Sequence, residues 1–161
     1  MNSDKHRSLD KIDQNILNIL QKDGRISNVK LAEAIHLSPT PCLERVKRLE
    51  KDGYIKGYVA LLESNLLDAA LVSFIEVSLE RTTTRALEVF RQEIGEIPEI
   101  QECHMVAGGF DYLIKVRTRD MAHYRKFLGE KLSSLSAIRS THTYVVMEEV
   151  KATSAIAIPN P

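Results

Sequence analysis

The sequence predicts an α+β chain in two parts, a three-helix N-terminal unit followed by a βαββαβ unit. Three observations predict it. Up to about residue 57 the apolar residues recur at helical spacing, whereas from about residue 68 strand-like alternation interleaves with two helical segments. The charge balance also changes sign, with 11 Lys/Arg against 8 Asp/Glu in residues 1–60 and 11 against 14 in residues 61–161. The divisions expected are a helical domain over 1–57, a linker strand over 58–67, an α/β domain over 68–151 and a loosely held tail over 152–161.

Taken in order, "LDKIDQNILNILQKDG" sets Leu9, Ile12, Ile16, Ile19 and Leu20 on one helical face and stops at Gly24. "SNVKLAEAI" opens on Ser27, an N-cap candidate, and carries Val29, Leu31, Ala32 and Ile35. The third helix, in "HLSPTPCLERVKRLEKDG", ends near Gly53, and "YIKGYVALL" turns β-like as a short wing or linker strand. "ALVSFIEVSLE" then alternates, with Ile75, Val77 and Leu79 on one face and Glu76, Ser78 and Glu80 on the other. "TTRALEVFRQEIGEI" is an amphipathic helix. "EIQECHMVAG" and "DYLIKVRT" are strands flanking the glycine-bearing "GGFD", which suits a hairpin. "DMAHYRKFLGEKLSSL" starts a helix at Asp120, and "IRSTHTYVVMEEV" closes as a β-branched strand. The order is that of a ferredoxin-like sandwich.

The third helix carries the most chemistry. At about 100° per residue, Cys42, Val46 and Leu49 form a buried stripe with Leu43 at its margin. Thr40, Glu44, Arg48 and Lys51 fall opposite, flanked by Lys47, with Arg45 towards the other edge. A basic helix preceded by a short helix across the break "IHLS" is the arrangement of a (winged) helix-turn-helix, whose second helix enters the DNA major groove by its N-terminal end. Pro39 and Pro41 fit that end, because first-turn N–H groups have no partner inside a helix and a proline there loses nothing. Either Ser38 caps with Pro39 first, or Thr40 caps with Pro41 first.

The bulk numbers exclude other classes. Hydrophobic residues at 43% and charged residues at 27% describe a globular chain, and no apolar run approaches the roughly 20 residues of a membrane span. "MNSDKHRSLDKID" lacks the apolar core of a secretory signal, and two distant cysteines form no CxxC, so a reducing cytoplasm is expected. His104, His142 and Asp111 do not sit at metal-ligand spacing, and no HExxH, GxSxG or P-loop occurs, which argues against an enzyme or a metal site. An amino-acid-sensing module acting on a partner protein is the competing reading, and it leaves Thr40, Arg45 and Arg48 without a purpose.

The tract "LSPTPCLERVKRLE…GYI", together with "IQECHMVAGGFDYLIKV", "YRKFLGEKL" and "TYVVMEEV", resembles the Lrp/AsnC family of feast/famine regulators from Leu9 to Lys151. The resemblance implies a transcriptional regulator in which a helix-turn-helix precedes a small-molecule-binding and assembly domain. It implies that Ser38, Thr40, Pro41, Glu44, Arg45 and Arg48 face double-stranded DNA. Arg45 or Arg48 would suit a guanine edge and Glu44 a cytosine, while Lys47, Lys51 and Lys56 suit phosphates. Lys5 and Arg7 are further phosphate candidates. His36 departs from the family, because glycine usually occupies the position after the second helix, where a left-handed residue is needed.

For the second domain the resemblance implies an amino-acid effector, leucine first, bound between subunits, with no other cofactor. Its candidates are Met105, Gly108, Gly109, Asp111, Met121, Tyr144, Val145 and Val146. Asp111 would accept the ammonium, the Gly108 and Gly109 amides would meet the carboxylate, and the methionines and Val145 would line an apolar slot. Gly109 stands where relatives often carry a polar side chain. A sheet with helices on one face only calls for a partner sheet, which predicts a homodimer, and the resemblance implies that such dimers assemble into an octamer-like ring, nucleoid-associated in the cytoplasm.

Overall fold

The computed structural model describes residues 9–158, so Lys5 and Arg7 lie outside the described residues. Two compact units form: one comprises the chain up to Leu61 together with the segment from Ala152, and the other is Leu62–Lys151.

The first unit holds three helices, α1 (Lys11–Leu20), α2 (Asn28–Ala34) and α3 (Pro39–Lys51). Ile16, Leu31, Ala32, Cys42 and Leu49 make its core. Asp10 caps α1 in a capping box, accepting the Asp13 N–H at 2.8 Å while Asp13 accepts from the Asp10 N–H at 3.4 Å. Ser27 caps α2 by accepting from Lys30 N at 3.3 Å. Helix α3 starts at Ser38, so the cap is Ser38 rather than Thr40, and Pro39 and Pro41 occupy its first and third positions. The Ser38 hydroxyl makes no capping bond. The reason is local: the usual N–H partner at the third position belongs here to a proline, which has none.

Helices α2 and α3 end by the same motif with different residues. Leu37 N reaches Ala32 O at 2.9 Å and His36 N reaches Glu33 O at 3.1 Å. After α3, Tyr54 N reaches Leu49 O at 3.0 Å and Gly53 N reaches Glu50 O at 3.1 Å. Both are Schellman closures needing a left-handed residue, supplied by Gly53 at φ 78° and by His36 at φ 56°. His36 therefore carries the strain that a glycine would avoid.

One expectation is corrected here. No strand forms over 54–62, because extended composition makes a strand only where another strand supplies its ladder. A short 3-10 turn over Ser64–Leu67 follows instead. In the tail, the Gln21 side chain donates to Ile156 O at 3.1 Å and accepts from Ile156 N at 2.6 Å.

The second unit runs β1 (Leu71–Leu79), α4 (Thr84–Gly95), β2 (Ile100–Met105), β3 (Tyr112–Thr118), α5 (Met121–Glu130) and β4 (Ile138–Val145). The antiparallel sheet is ordered β2-β3-β1-β4, the ferredoxin-like arrangement. Strand β4 stops at Val145, short of the run to Val150 that its composition suggests, after Val146 N makes a last bond to Val72 O at 3.0 Å. The inward residues Ile75, Val77, Tyr112, Ile114 and Val116 pack against Phe90, Ile94, Tyr124 and Phe127 of the two helices. The Phe90 and Tyr112 rings lie 4.6 Å apart. Thr83 and Asp120 cap α4 and α5 by accepting from Ala86 N and His123 N.

These caps give a contrast that urea unfolding followed by circular dichroism can measure. Ser27→Ala is expected to cost about 1 kcal/mol, whereas Ser38→Ala, which breaks no capping bond, changes stability by less than about 0.5 kcal/mol. His36→Gly is expected to gain about 1 kcal/mol by relieving the left-handed strain.

Candidate nucleic-acid interface and effector region

The outward surface of α3 is built from its first turn and two later turns. Ser38, Pro39, Thr40, Pro41, Glu44, Lys47 and Lys51 are exposed, as is Lys56 beyond the helix. Asn28 at the start of α2 donates to Pro39 O at 2.8 Å and so ties the mouth of α3 to the preceding helix. The mouth is thus rigid, carries a free hydroxyl at Ser38, and presents the positive end of a 13-residue helix. Lys47 lies 3.9 Å from Glu44, a solvent-exposed pair that leaves its charge available.

Arg45 and Arg48 behave differently. The helical wheel sets Arg48 on the outer face, yet its Nη2 turns back to Asp13 Oδ2 at 2.6 Å. Arg45 Nη1 bonds Asp13 Oδ1 at 2.8 Å and Asp10 Oδ2 at 2.6 Å. The Asp13 side chain is only 4% exposed, while those of Arg45 and Arg48 are 26% and 34% exposed. A buried carboxylate needs a cation, and two long side chains one turn apart on α3 supply it. The hydrogen bonds to Asp10 and Asp13 push the Arg45 guanidinium to a still higher pKa. Burial alone would raise the Asp10 carboxyl, but the bonds from Arg45 and from the Asp13 amide hold it below its usual value.

Asp13 is the functional candidate that the sequence reading missed. A signal existed: Asp13 falls on the apolar face between Leu9 and Ile16, where a lone carboxylate demands a basic partner from another helix.

The effector candidates fall into two groups within one chain. Met105, Gly108, Gly109 and Asp111 lie at the β2–β3 connection, where Asp111 N bonds Val77 O at 3.0 Å. Tyr144, Val145 and Val146 lie at the other end of β1, beside Phe74, Ser73 and Val72, and Met121 opens the helix that follows β3 at that same end. Val72 and Val77 are five residues apart along β1, about 16 Å at roughly 3.3 Å per residue, whereas Phe74, opposite Tyr144, is three residues from Val77, about 10 Å. Asp111, expected as an ammonium acceptor, already spends Oδ2 on the Leu79 N–H at 2.7 Å. That bond satisfies an amide at the register break between Ser78 and Leu79. Tyr144 and Val145 point to opposite faces; the Tyr144 hydroxyl donates to Glu76 at 3.1 Å on the face without helices. Gly108 and Gly109 are exposed, and neither has a positive φ. A cleft of about 370 Å³ in this unit is lined by Arg81, Thr83, Arg85, Val89 and Ala137 among others, and by none of the eight candidates.

Among the described residues no group of three or more His, Cys, Asp or Glu is placed to hold a metal ion, and no helix is long and apolar enough to cross a membrane.

Comparison with known proteins assigns both units. Residues 9–56 match the model of a winged helix-turn-helix DNA-binding domain, and residues 72–156 match that of the Lrp/AsnC ligand binding domain. Leucine-responsive regulatory proteins of Klebsiella pneumoniae and Escherichia coli (strain K12) are each 55% identical over 152 residues, covering 94% of this chain and 93% of theirs. A Neisseria meningitidis transcriptional regulator solved in complex with L-Met superposes with a TM-score of 0.89 at 36% identity, covering 93% of this chain and 97% of that one. An AsnC family transcriptional regulator from Agrobacterium tumefaciens also gives 0.89, at 31% identity over 92% and 97% of the two chains.

Removing one arm of the α1–α3 ion pairs should be felt in stability. Arg48→Ala is expected to cost about 1–2 kcal/mol, less than for a fully buried pair because Arg45 still holds Asp13 and Arg48 is partly exposed. Lys47→Ala, on the same helix but pointing outward, should change it by less than about 0.5 kcal/mol in the same urea titration.

Proposed function

The chain belongs to the Lrp/AsnC family of transcriptional regulators, and from that premise we propose that it is a sequence-specific regulator whose assembly on DNA responds to a free amino acid, leucine first. That it is a DNA-binding transcriptional regulator with a ligand-binding domain, and not an enzyme, follows from the family. The finer reading rests on one observation above all: the mouth of α3 combines two first-turn prolines, an unengaged Ser38 hydroxyl and an outward row of Thr40, Glu44, Lys47 and Lys51. Thr40, Pro41 and Glu44 would meet base edges from the helix N-terminus, and Ser38, Lys47, Lys51 and Lys56 would hold phosphates. Arg45 and Arg48 are held by Asp13 and Asp10 without DNA, so a base contact from either would exchange those bonds for a base edge.

The effector site is proposed to lie between subunits. The two groups of candidate residues are spaced about 10–16 Å along β1 within a chain, which favours a site completed by a second copy. A second copy can bring one group beside the other. Leucine is favoured by the names of the 55%-identical relatives, and methionine is the alternative suggested by the Neisseria complex. Self-assembly has physical support in exposed apolar surface: Val59 and Leu61 are each 87% exposed, and the sheet face without helices carries the half-buried Phe74 and Leu113. A homodimer building to an octamer-like ring would cover both. Such a dimer displays two recognition helices, so its operator should be an imperfect palindrome with half-sites whole DNA turns apart. The setting is the cytoplasm, on the nucleoid. The ligand acts by binding one assembly state better than another.

Sedimentation velocity with each of the twenty amino acids tests the effector directly. Leucine is expected to shift the weight-average mass and the affinity for a bound duplex together, and identical sedimentation and DNA affinity across the panel would overturn the effector reading. Lys51→Ala is expected to weaken binding to all sequences alike and to flatten the dependence of log K on log salt by about one phosphate contact, roughly 0.9 in slope.

A further inference from the structure

We propose that Asp13, with Asp10 beside it, is a positioning residue for DNA recognition: it fixes the pose of α3 and withholds two of that helix's four cations from phosphate. The inference rests on the DNA reading above and adds residues that lie on α1 and its cap, on the side of α3 away from the exposed face.

The geometry is that of a pinned fork. Arg45 and Arg48 sit one turn apart on α3 and approach the two oxygens of one carboxylate separately, Oδ1 at 2.8 Å and Oδ2 at 2.6 Å. Because the two guanidinia reach the carboxylate from successive turns, rotating or sliding α3 disturbs at least one of the two bonds. The capping box in turn fixes Asp13, since its own N–H is held by Asp10 and its Oδ2 takes the Asp10 N–H. The yaw of the recognition helix is thereby tied to the first turn of α1, by charge-assisted bonds that a purely apolar contact would not orient.

The same bonds set the charge that α3 offers. Its cations are Arg45, Lys47, Arg48 and Lys51. Two of them are matched by carboxylates before any DNA arrives, which leaves Lys47 and Lys51 for backbone phosphates. Phosphate contacts raise affinity for every sequence alike, so a helix that withholds two guanidinia lowers its background binding more than its selective binding. A cavity of about 300 Å³ lined by Asp10, Asp13, Arg45, Arg48 and Asp52 adjoins the pairs, so neither guanidinium is locked by close packing on every side.

The test uses the full chain, a mixed-sequence duplex, and a duplex enriched by that chain from a random library. Asp13→Asn keeps the shape and one acceptor oxygen but removes the charge; Asp10→Asn, at a side chain already 51% exposed, removes only the outer partner of Arg45. On the mixed-sequence duplex, Asp13→Asn is expected to tighten binding at low salt and to steepen log K against log salt by about 1–2, the yield of one or two freed cations at about 0.9 each. Its preference for the enriched duplex over the mixed one should fall by about tenfold. Asp10→Asn should steepen the slope by about 0.5, because Asp13 keeps Arg45 partly engaged. Slopes and preference equal to the parent's in both variants would overturn the proposal. If Asp13→Asn fails to fold by circular dichroism, Asp10→Asn decides alone, and a parental slope there overturns it. A parent chain that enriches no sequence would sink the DNA reading and this inference together, whereas a parent that enriches one while its variants match it sinks this inference only.

Discussion

A carboxylate with 4% of its side chain exposed needs bonding partners for both oxygens, and Asp13 has a guanidinium on each. The N-terminal unit is organised around that requirement. Ile16, Leu31, Cys42 and Leu49 supply the apolar contact between the helices, but apolar contact alone leaves helices free to slip by small amounts. The two guanidinium bonds remove that freedom between α1 and α3, and Asn28 does the same between α2 and α3 by bonding Pro39 O. Under the proposal above, these bonds on the buried side of α3 set the pose of its exposed face.

The prolines follow the same logic at the helix mouth. Placed at the first and third positions, they remove two N–H groups that have no intrahelical partner, and the second also removes the N–H that would have engaged Ser38. The cap serine is left with its hydroxyl outward. Stiffness and an unspent polar group thus arise from one local arrangement, at the end of the helix that meets DNA in helix-turn-helix proteins.

Much of this is legible in the sequence because it is local or periodic. The stripe of Ile75, Val77 and Leu79 gives the inward face of β1, Asp120 and Ser27 give two helix starts, and the element order gives the sandwich. What periodicity cannot give is the reach of a long side chain. Arg48 has its Cα on the outer half of the wheel, and only the burial of a carboxylate on another helix turns its guanidinium inward. Strand formation over 54–62 fails for a related reason, since Tyr58 and Val59 favour extended backbone but a ladder needs a partner elsewhere. Asp111 illustrates the limit for sites: its residue type suits an ammonium, yet the register break at Ser78 and Leu79 consumes one of its oxygens. His36 was legible as a departure, and its φ of 56° shows what that departure costs.

The effector candidates are spread along β1, and under the proposed function a second chain completes their site, so that ligand binding and assembly are linked. The most direct measurement is a genome-wide map of binding sites with and without leucine. The predicted result is a shared imperfect palindrome under the peaks, with occupancy that changes across many of them when leucine is added. Peaks without a common motif, or maps that coincide in the two conditions and under other amino acids, would contradict it.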